Sequence, residues 1–454
     1  MTARPAGTPA HGIGFGEALR FWLKLGFVSF GGPAGQIAIM HQELVERRRW
    51  ISEGRFLHAL NYCMVLPGPE AQQLATYLGW LMHRTWGGIA AGALFVLPSL
   101  AILIALSWLY LVYGDTPAVS AVLAGIKPAV VAIVAAAGWR VASRALKHPL
   151  AWAIAVAAFV AMAGFDAPFP AVLAVAALLG TLGARIAPGA FGAAGDGHAA
   201  SAAAADRRAA IDDDAPPPPH ALGSRRRLLA VVAIGATLWL AAWLALHALP
   251  TAPGAPAVFA DMARFFTQAA LLTFGGAYAV LPYVVQGAVE QYGWASTAQM
   301  IDGLALGETT PGPLIMIVAF VGFVGAWTLQ AFGPDAPALA GVVGAAVATF
   351  FTFLPSFVFI LAGAPLVERT RGNLRVTAPL AGITAAVVGV IASLAVFFAR
   401  HVLWPDGLGG RLDVAAATLC AAALLALLRF RVGVVPLILA CGAAGVLLRA
   451  LGWL

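Results

Sequence analysis

Charge is scarce in this chain: Asp, Glu, Lys and Arg make up only 10% of its 454 residues, while 61% are hydrophobic. So few charges cannot cover a surface in water, which excludes an ordinary soluble domain and points to a bilayer. Cysteine is as thin. Cys63, Cys420 and Cys441 lie in or beside apolar segments with no CxxC or other paired spacing, so neither a disulfide nor a metal site is expected. There is no Walker-type phosphate loop, no HExxH and no convincing nucleotide fingerprint; no cofactor and no enzymatic activity are expected. The net charge of +7 comes without a basic patch interleaved with aromatics, so it reads as Lys and Arg of cytoplasmic loops and not as a nucleic-acid surface. Residues Met1 to Gly14 lack a long apolar run followed by a cleavage site, and a removed signal peptide is not expected.

What the chain has in quantity is glycine (50) and proline (29), and their placement repeats. Phe30-Gly31-Gly32 recurs as Phe274-Gly275-Gly276, Val45-Glu46 as Val289-Glu290, Trp50 as Trp294 and Pro67-Gly68-Pro69 as Pro311-Gly312-Pro313, all at one offset (274 − 30 = 244). From Phe30 to Pro69 that gives 12 identities over 40 positions, against roughly two or three expected from ordinary residue usage. After a longer loop in the second copy the match resumes at a new offset (355 − 98 = 257), with Leu97-Pro98-Ser99 becoming Leu354-Pro355-Ser356. The chain is a duplication, and each half reads as one complete folding unit.

Apolar blocks of spanning length run about 88–111, 119–140, 150–164 and 168–184, then 339–363, 376–399, 413–428 and 433–451, with an unpaired block at 228–249. This predicts an all-α polytopic membrane protein: an N-terminal tail (1–14), a first repeat (15–187), a disordered cytoplasmic linker (188–227), a connecting helix (228–250) and a second repeat (259–454). Gly-Gly and Pro-Gly-Pro interrupt the motif regions, where proline removes a backbone donor, so broken or re-entrant helices are expected there beside about four spans per half. The basic loops at Arg140 to Lys147, Arg225 to Arg227, Arg369 to Arg375 and Arg429 to Arg431 fall on one side only if the second repeat is inverted. Arg400, His401 and Arg411 then lie outside, against the rule.

Broken helices expose N–H groups at helix N-termini, where the dipole favours an anion, and glycine lets an oxyanion approach the backbone. Gly31, Gly32, Gly68, Gly275, Gly276 and Gly312 suit that role. Ser29, Gln36, Asn61, Gln72, Gln73, Thr273, Thr309 and Thr310 add hydroxyl or amide donors, unless they only bond a backbone that the break leaves open. Lys127 falls mid-block, where a charge costs about 2.5 to 3.5 kcal/mol and needs a partner; that partner is an anion, or an internal carboxylate such as Glu70 or Glu308. Glu70 and Glu308 flank the two PGP motifs and are candidates for carrying a proton against the anion, with helix capping the plainer role. Arg47, Arg48 and Arg49 could collect anions at a cytoplasmic mouth.

The block from Phe30 to Trp80, FGGPAGQIAIMHQELVERRRWISEGRFLHALNYCMVLPGPEAQQLATYLGW, resembles the signature of the chromate transporter family. FGGAYAVLPYVVQ from Phe274 and GETTPGPLIM from Gly307 resemble the diverged second copy of its long-chain members. The resemblance implies export of chromate across the plasma membrane, with resistance as the outcome. Sulfate as a cargo, a channel mechanism and a homodimer stay open, and a membrane-embedded chromate reductase is the alternative from another class.

Overall fold

The computed structural model describes residues 13–30, 32–186, 209–212, 225–249, 251, 257–369 and 378–452, without the side chains of 186 and 366–369. Gly31 and most of the linker lie outside the described residues. Among those described the structure is helical throughout, apart from loops and one isolated parallel bridge between Ile51 and Ile211. Five helices are long and apolar enough to cross a bilayer: α4 (Glu70–Tyr113), α5 (Pro117–Ala145), α8 (Arg225–Ala248), α13 (Pro337–Arg369) and α14 (Ala378–Leu403). The last helices of each half, α6 (Pro149–Phe165), α7 (Phe169–Ile186), α15 (Val414–Leu428) and α16 (Val434–Ala450), have only 15 to 18 residues. At ~1.5 Å per residue they reach about 22 to 27 Å, short of a hydrocarbon core of ~30 Å.

The sequence repeat is a repeat of elements. The first half opens with α1 (Phe15–Val28), α2 (Gly32–His41) and α3 (Glu53–Val65), the second with α9 (Val258–Leu271), α10 (Ala277–Val285) and α11 (Thr297–Thr309). Both copies widen into a π-helical turn at the same place, Gln42–Arg47 and Gln286–Gln291. Both then fold the following tryptophan back on it: Trp50 N–H donates to Leu44 C=O (2.8 Å) and Trp294 N–H to Ala288 C=O (2.7 Å). Ser52 and Ser296 cap α3 and α11 by accepting from Arg55 N–H (3.3 Å) and Gln299 N–H (3.1 Å). The short arm of α4, residues 70–82, ends at a bend over His83 and Arg84 that separates it from a long arm, 85–113. Its counterpart is α12 (Ile317–Thr328), which a loop separates from α13. Only α8 has no repeat-related partner.

With 14, 10 and 13 residues, α1, α2 and α3 are half-helices, about 15 to 21 Å long. Their charged ends meet. Arg48 pairs with Glu17 (3.2 Å), His41 with Glu53 (2.6 Å), and His83 bonds Ile13 C=O (2.8 Å). The first motif region is therefore two hairpins of half-helices, whose tips are the FGG and PGP breaks. The second half repeats this with aromatic contacts, Phe265 on Tyr292 (5.6 Å) and Phe259 on Phe332 (5.2 Å). Gly88 lies against Leu361 and Gly92 against Phe357, so the long arm of α4 and α13 run antiparallel.

The halves are not separate units, contrary to the expectation. α6 and α7 pack on α14 of the other repeat, and α15 and α16 pack on α5. The crossings of α5 with α16 and of α14 with α7 are each made at a glycine pair. A Cβ on Gly125 would stand 2.7 Å from Gly445 Cα, and one on Gly382 would stand 2.8 Å from Gly180 Cα. Close approach of this kind brings helix backbones into dispersion contact where lipid supplies no hydrophobic drive.

Candidate functional site

The four breaks come together across the repeats. Gly68 N–H donates to Thr273 C=O and Gly312 N–H to Ser29 C=O, each at 2.8 Å. The PGP of either half is thereby tied to the FGG of the other, and the two bonds are related by the repeat (68 + 244 = 312, 29 + 244 = 273). The glycines hold conformations that other residues resist: φ is +71° at Gly32, +126° at Gly68, +79° at Gly275, +96° at Gly276 and +108° at Gly312. α10 packs on the turn Leu314–Met316 that follows the second PGP, and α2 packs on α4, which follows the first. Hence the four tips form one cluster.

Helix N-termini leave this cluster in four directions, at Gly32, Glu70, Ala277 and Leu314. Pro69, Gly276 and Pro313 precede three of them, and none supplies a side-chain cap. The outer starts at Ser52 and Ser296 are capped. N–H groups without side-chain caps therefore concentrate at the centre, which is the arrangement that favours an anion.

The side chains divide. Ser29 is buried with its hydroxyl unpartnered, and buried Gln36 donates to the carbonyls of Gly312 and Ser29, leaving its own Oε1 unpartnered. Gln72 bonds Thr76 (3.0 Å), and Gln73 donates to Pro67 C=O (2.7 Å). Thr273, Thr309 and Thr310 give their hydroxyl protons to carbonyls of their own helices, Ala269, Leu306 and Gly307. Asn61 is exposed and makes no hydrogen bond among the described residues. Two site residues were missed: Ser99 and Ser356, both buried, stand where a Cβ on Gly312 and on Gly68 would point, at 2.9 and 2.5 Å from their hydroxyl oxygens. Their signal was the repeated Leu-Pro-Ser.

Lys127 meets neither expected carboxylate. Its Nζ lies 3.6 Å from Asp302 Oδ2 on α11, and the same oxygen accepts from Tyr110 OH (3.0 Å). Glu308 is buried and accepts from Tyr278 OH of α10. Glu70 opens α4 without an ion-pair partner among the described residues. At the charged end Arg47 pairs with Glu43 (2.6 Å) and Arg48 with Glu17 (3.2 Å) and Glu43 (3.5 Å), and the bonded Arg47 guanidinium holds the Glu43 carboxyl below its usual range. Arg49 is exposed, with φ +52°. Of the three, only Arg49 fits a free anion-collecting charge. At the other end a cavity of about 490 Å³ opens beside Asp166, Glu290, Arg400 and His401, and none of the break residues lines it. No group of three His, Cys, Asp or Glu side chains among the described residues could hold a metal ion.

A family model, chromate transporter, matches residues 16–181 and 260–446, one match per repeat. The chain belongs to the chromate transporter family. It is 34% identical over 389 residues to a chromate transport protein of Pseudomonas aeruginosa, covering 84% of this chain and 80% of that one. It is 28% identical over 434 residues to a chromate transport protein of Cupriavidus metallidurans (94% and 91% covered), and 29% identical over 397 residues to a probable chromate transport protein of Synechococcus elongatus (85% of each). No solved structure gives a significant match. As a chromate transporter family member the chain is a multi-pass membrane protein whose family implies an oxyanion cargo, and the two matched regions coincide with the two structural repeats.

Proposed function

We propose that this protein is a secondary transporter that carries chromate out of the cytoplasm, binding it at the joined FGG and PGP breaks. The carrying observation is the pair of cross-repeat bonds, Gly68 to Thr273 and Gly312 to Ser29, which gather the uncapped helix N-termini at one point. A tetrahedral dianion takes several N–H donors at once and needs no cation to accompany it there. The names of the relatives supply the cargo.

The two repeats lie inverted in the plasma membrane, the Arg47 end and the linker being cytoplasmic; the antiparallel course of α4 and α13 supports this. An inside-negative potential gives an exported dianion about 4.6 kcal/mol per 100 mV, from ~2.3 kcal/mol for each charge. Proton antiport adds to that drive, with buried Glu308 and half-buried Glu70 as the carboxylates that exchange the proton. Chromate uptake into everted vesicles, with and without an imposed pH gradient, tests the proposal. Uptake accelerated by an inside-acid gradient supports antiport, and no uptake under either condition overturns export. Sulfate added in excess decides whether the cradle takes any tetrahedral dianion of that size.

A further inference from the structure

A buried ion pair joins the two repeats away from the breaks. Asp302 is 3% exposed, eight residues before Thr310 on α11, and so about 12 Å along that helix from the second PGP. It faces Lys127 of α5 and Tyr110 of α4, both from the first repeat. The repeat-related positions are Thr384 (127 + 257) and His58 (302 − 244). Neither is an ammonium or a carboxylate, and Thr384 bonds Leu380 C=O of its own helix, so these two positions do not repeat the tie.

We propose that Asp302 is a built-in competitor of the transported anion: its carboxylate holds Lys127, and with it α5 against α11, until a tetrahedral dianion takes its place on the ammonium and releases the tie. The inference rests on the proposed passage of a dianion from the breaks. Carboxylate and oxyanion present the same chemistry to Lys127, whose ammonium is a point charge with rotatable donors and no fork geometry to satisfy. The contact is loose at 3.6 Å and the lysine side chain is 31% exposed, so an anion can reach Nζ. When Lys127 leaves, Asp302 keeps the Tyr110 hydroxyl.

The test uses the full chain in everted vesicles and reads KM and Vmax for chromate separately. Asp302→Asn removes the competitor, and KM falls about tenfold with a parallel fall in Vmax; Lys127→Met raises KM about tenfold, and the double variant follows Lys127→Met. Asp302→Glu, one methylene longer, grips Lys127 more closely and raises KM. A purely structural bridge behaves otherwise: KM stays put in all four variants, the amount of folded protein drops, and exchanging the charges (Lys127→Asp with Asp302→Lys) restores transport. An unchanged or raised KM in Asp302→Asn, an unchanged or lowered KM in Asp302→Glu, or recovery in the exchanged pair overturns the proposal. If wild-type vesicles take up no chromate, the transport reading itself fails; if they do and Gly312→Ala abolishes uptake while Asp302→Asn leaves KM in place, only the competitor fails.

Discussion

Gly68 and Gly312 each use their backbone twice, adopting a left-handed φ and giving an N–H to the opposite repeat. Alanine at Gly312 would place its Cβ 2.6 Å from Ser99 Cβ, and at Gly68 2.5 Å from Ser356 Oγ. Strain at such positions costs on the order of 1–3 kcal/mol, and both variants are expected to lose transport in vesicles by more than about tenfold. Gly164→Ala, with nothing within 4 Å of the new methyl, should transport normally. Gln36→Leu leaves the Gly312 carbonyl without its amide donor, while Ser29 C=O keeps the Gly312 N–H, and a melting curve in detergent should show a loss of about 1–3 kcal/mol. The glycines were legible in the sequence because only glycine serves there and the motif occurs twice. Asp302 was not, because its role depends on Lys127, 175 positions away in the chain and in the other repeat.

At the scale of elements, helix crossings and caps carry different weights. Gly125→Leu and Gly382→Leu both drive a side chain into a facing glycine backbone, and each should cost at least about 1–3 kcal/mol. The repeat symmetry predicts equal effects, checked by the fraction of monodisperse protein on size exclusion. Ser296→Ala removes a capping box at an outer helix start and should cost only about 1 kcal/mol in the same melts. Hydropathy located the long helices because twenty apolar residues leave a strong local signal. It could not tell re-entrant hairpins from full spans, since both are apolar and both return an even number of crossings. Half-helix lengths and the pairing of Glu17 with Arg48, which show hairpins, emerge only once the chain is folded.

For the whole molecule, the exchange of hairpins means that neither repeat buries its own α5 or α14 surface. Residues 1–187 made alone should fail to give a stable membrane protein. A chain cut after Ala200 and expressed as two pieces should reassemble, because the crossings and the two break-to-break bonds all run between the pieces. Co-purification of an untagged second piece with a tagged first one checks this, and recovery of the first piece alone in folded form would contradict the interlock. Duplication was legible from the 244-residue offset, but interlocking was not: a repeat in sequence gives the parts and says nothing about which copy each part embraces.

The docking of Ile211 has a practical corollary. Ala210 and Ile211 N–H groups donate to Arg49 and Trp50 carbonyls, Ser52 N–H donates back to Ile211, and Arg55 Nε reaches Asp212 C=O. A short segment outside any helix, tied to a turn, is among the first parts of a fold to open. Protease sensitivity at Ala209 to Asp212 would therefore serve as a native gauge of whether the hairpin turn beside Trp50 has shifted, read on a gel without labelling the protein.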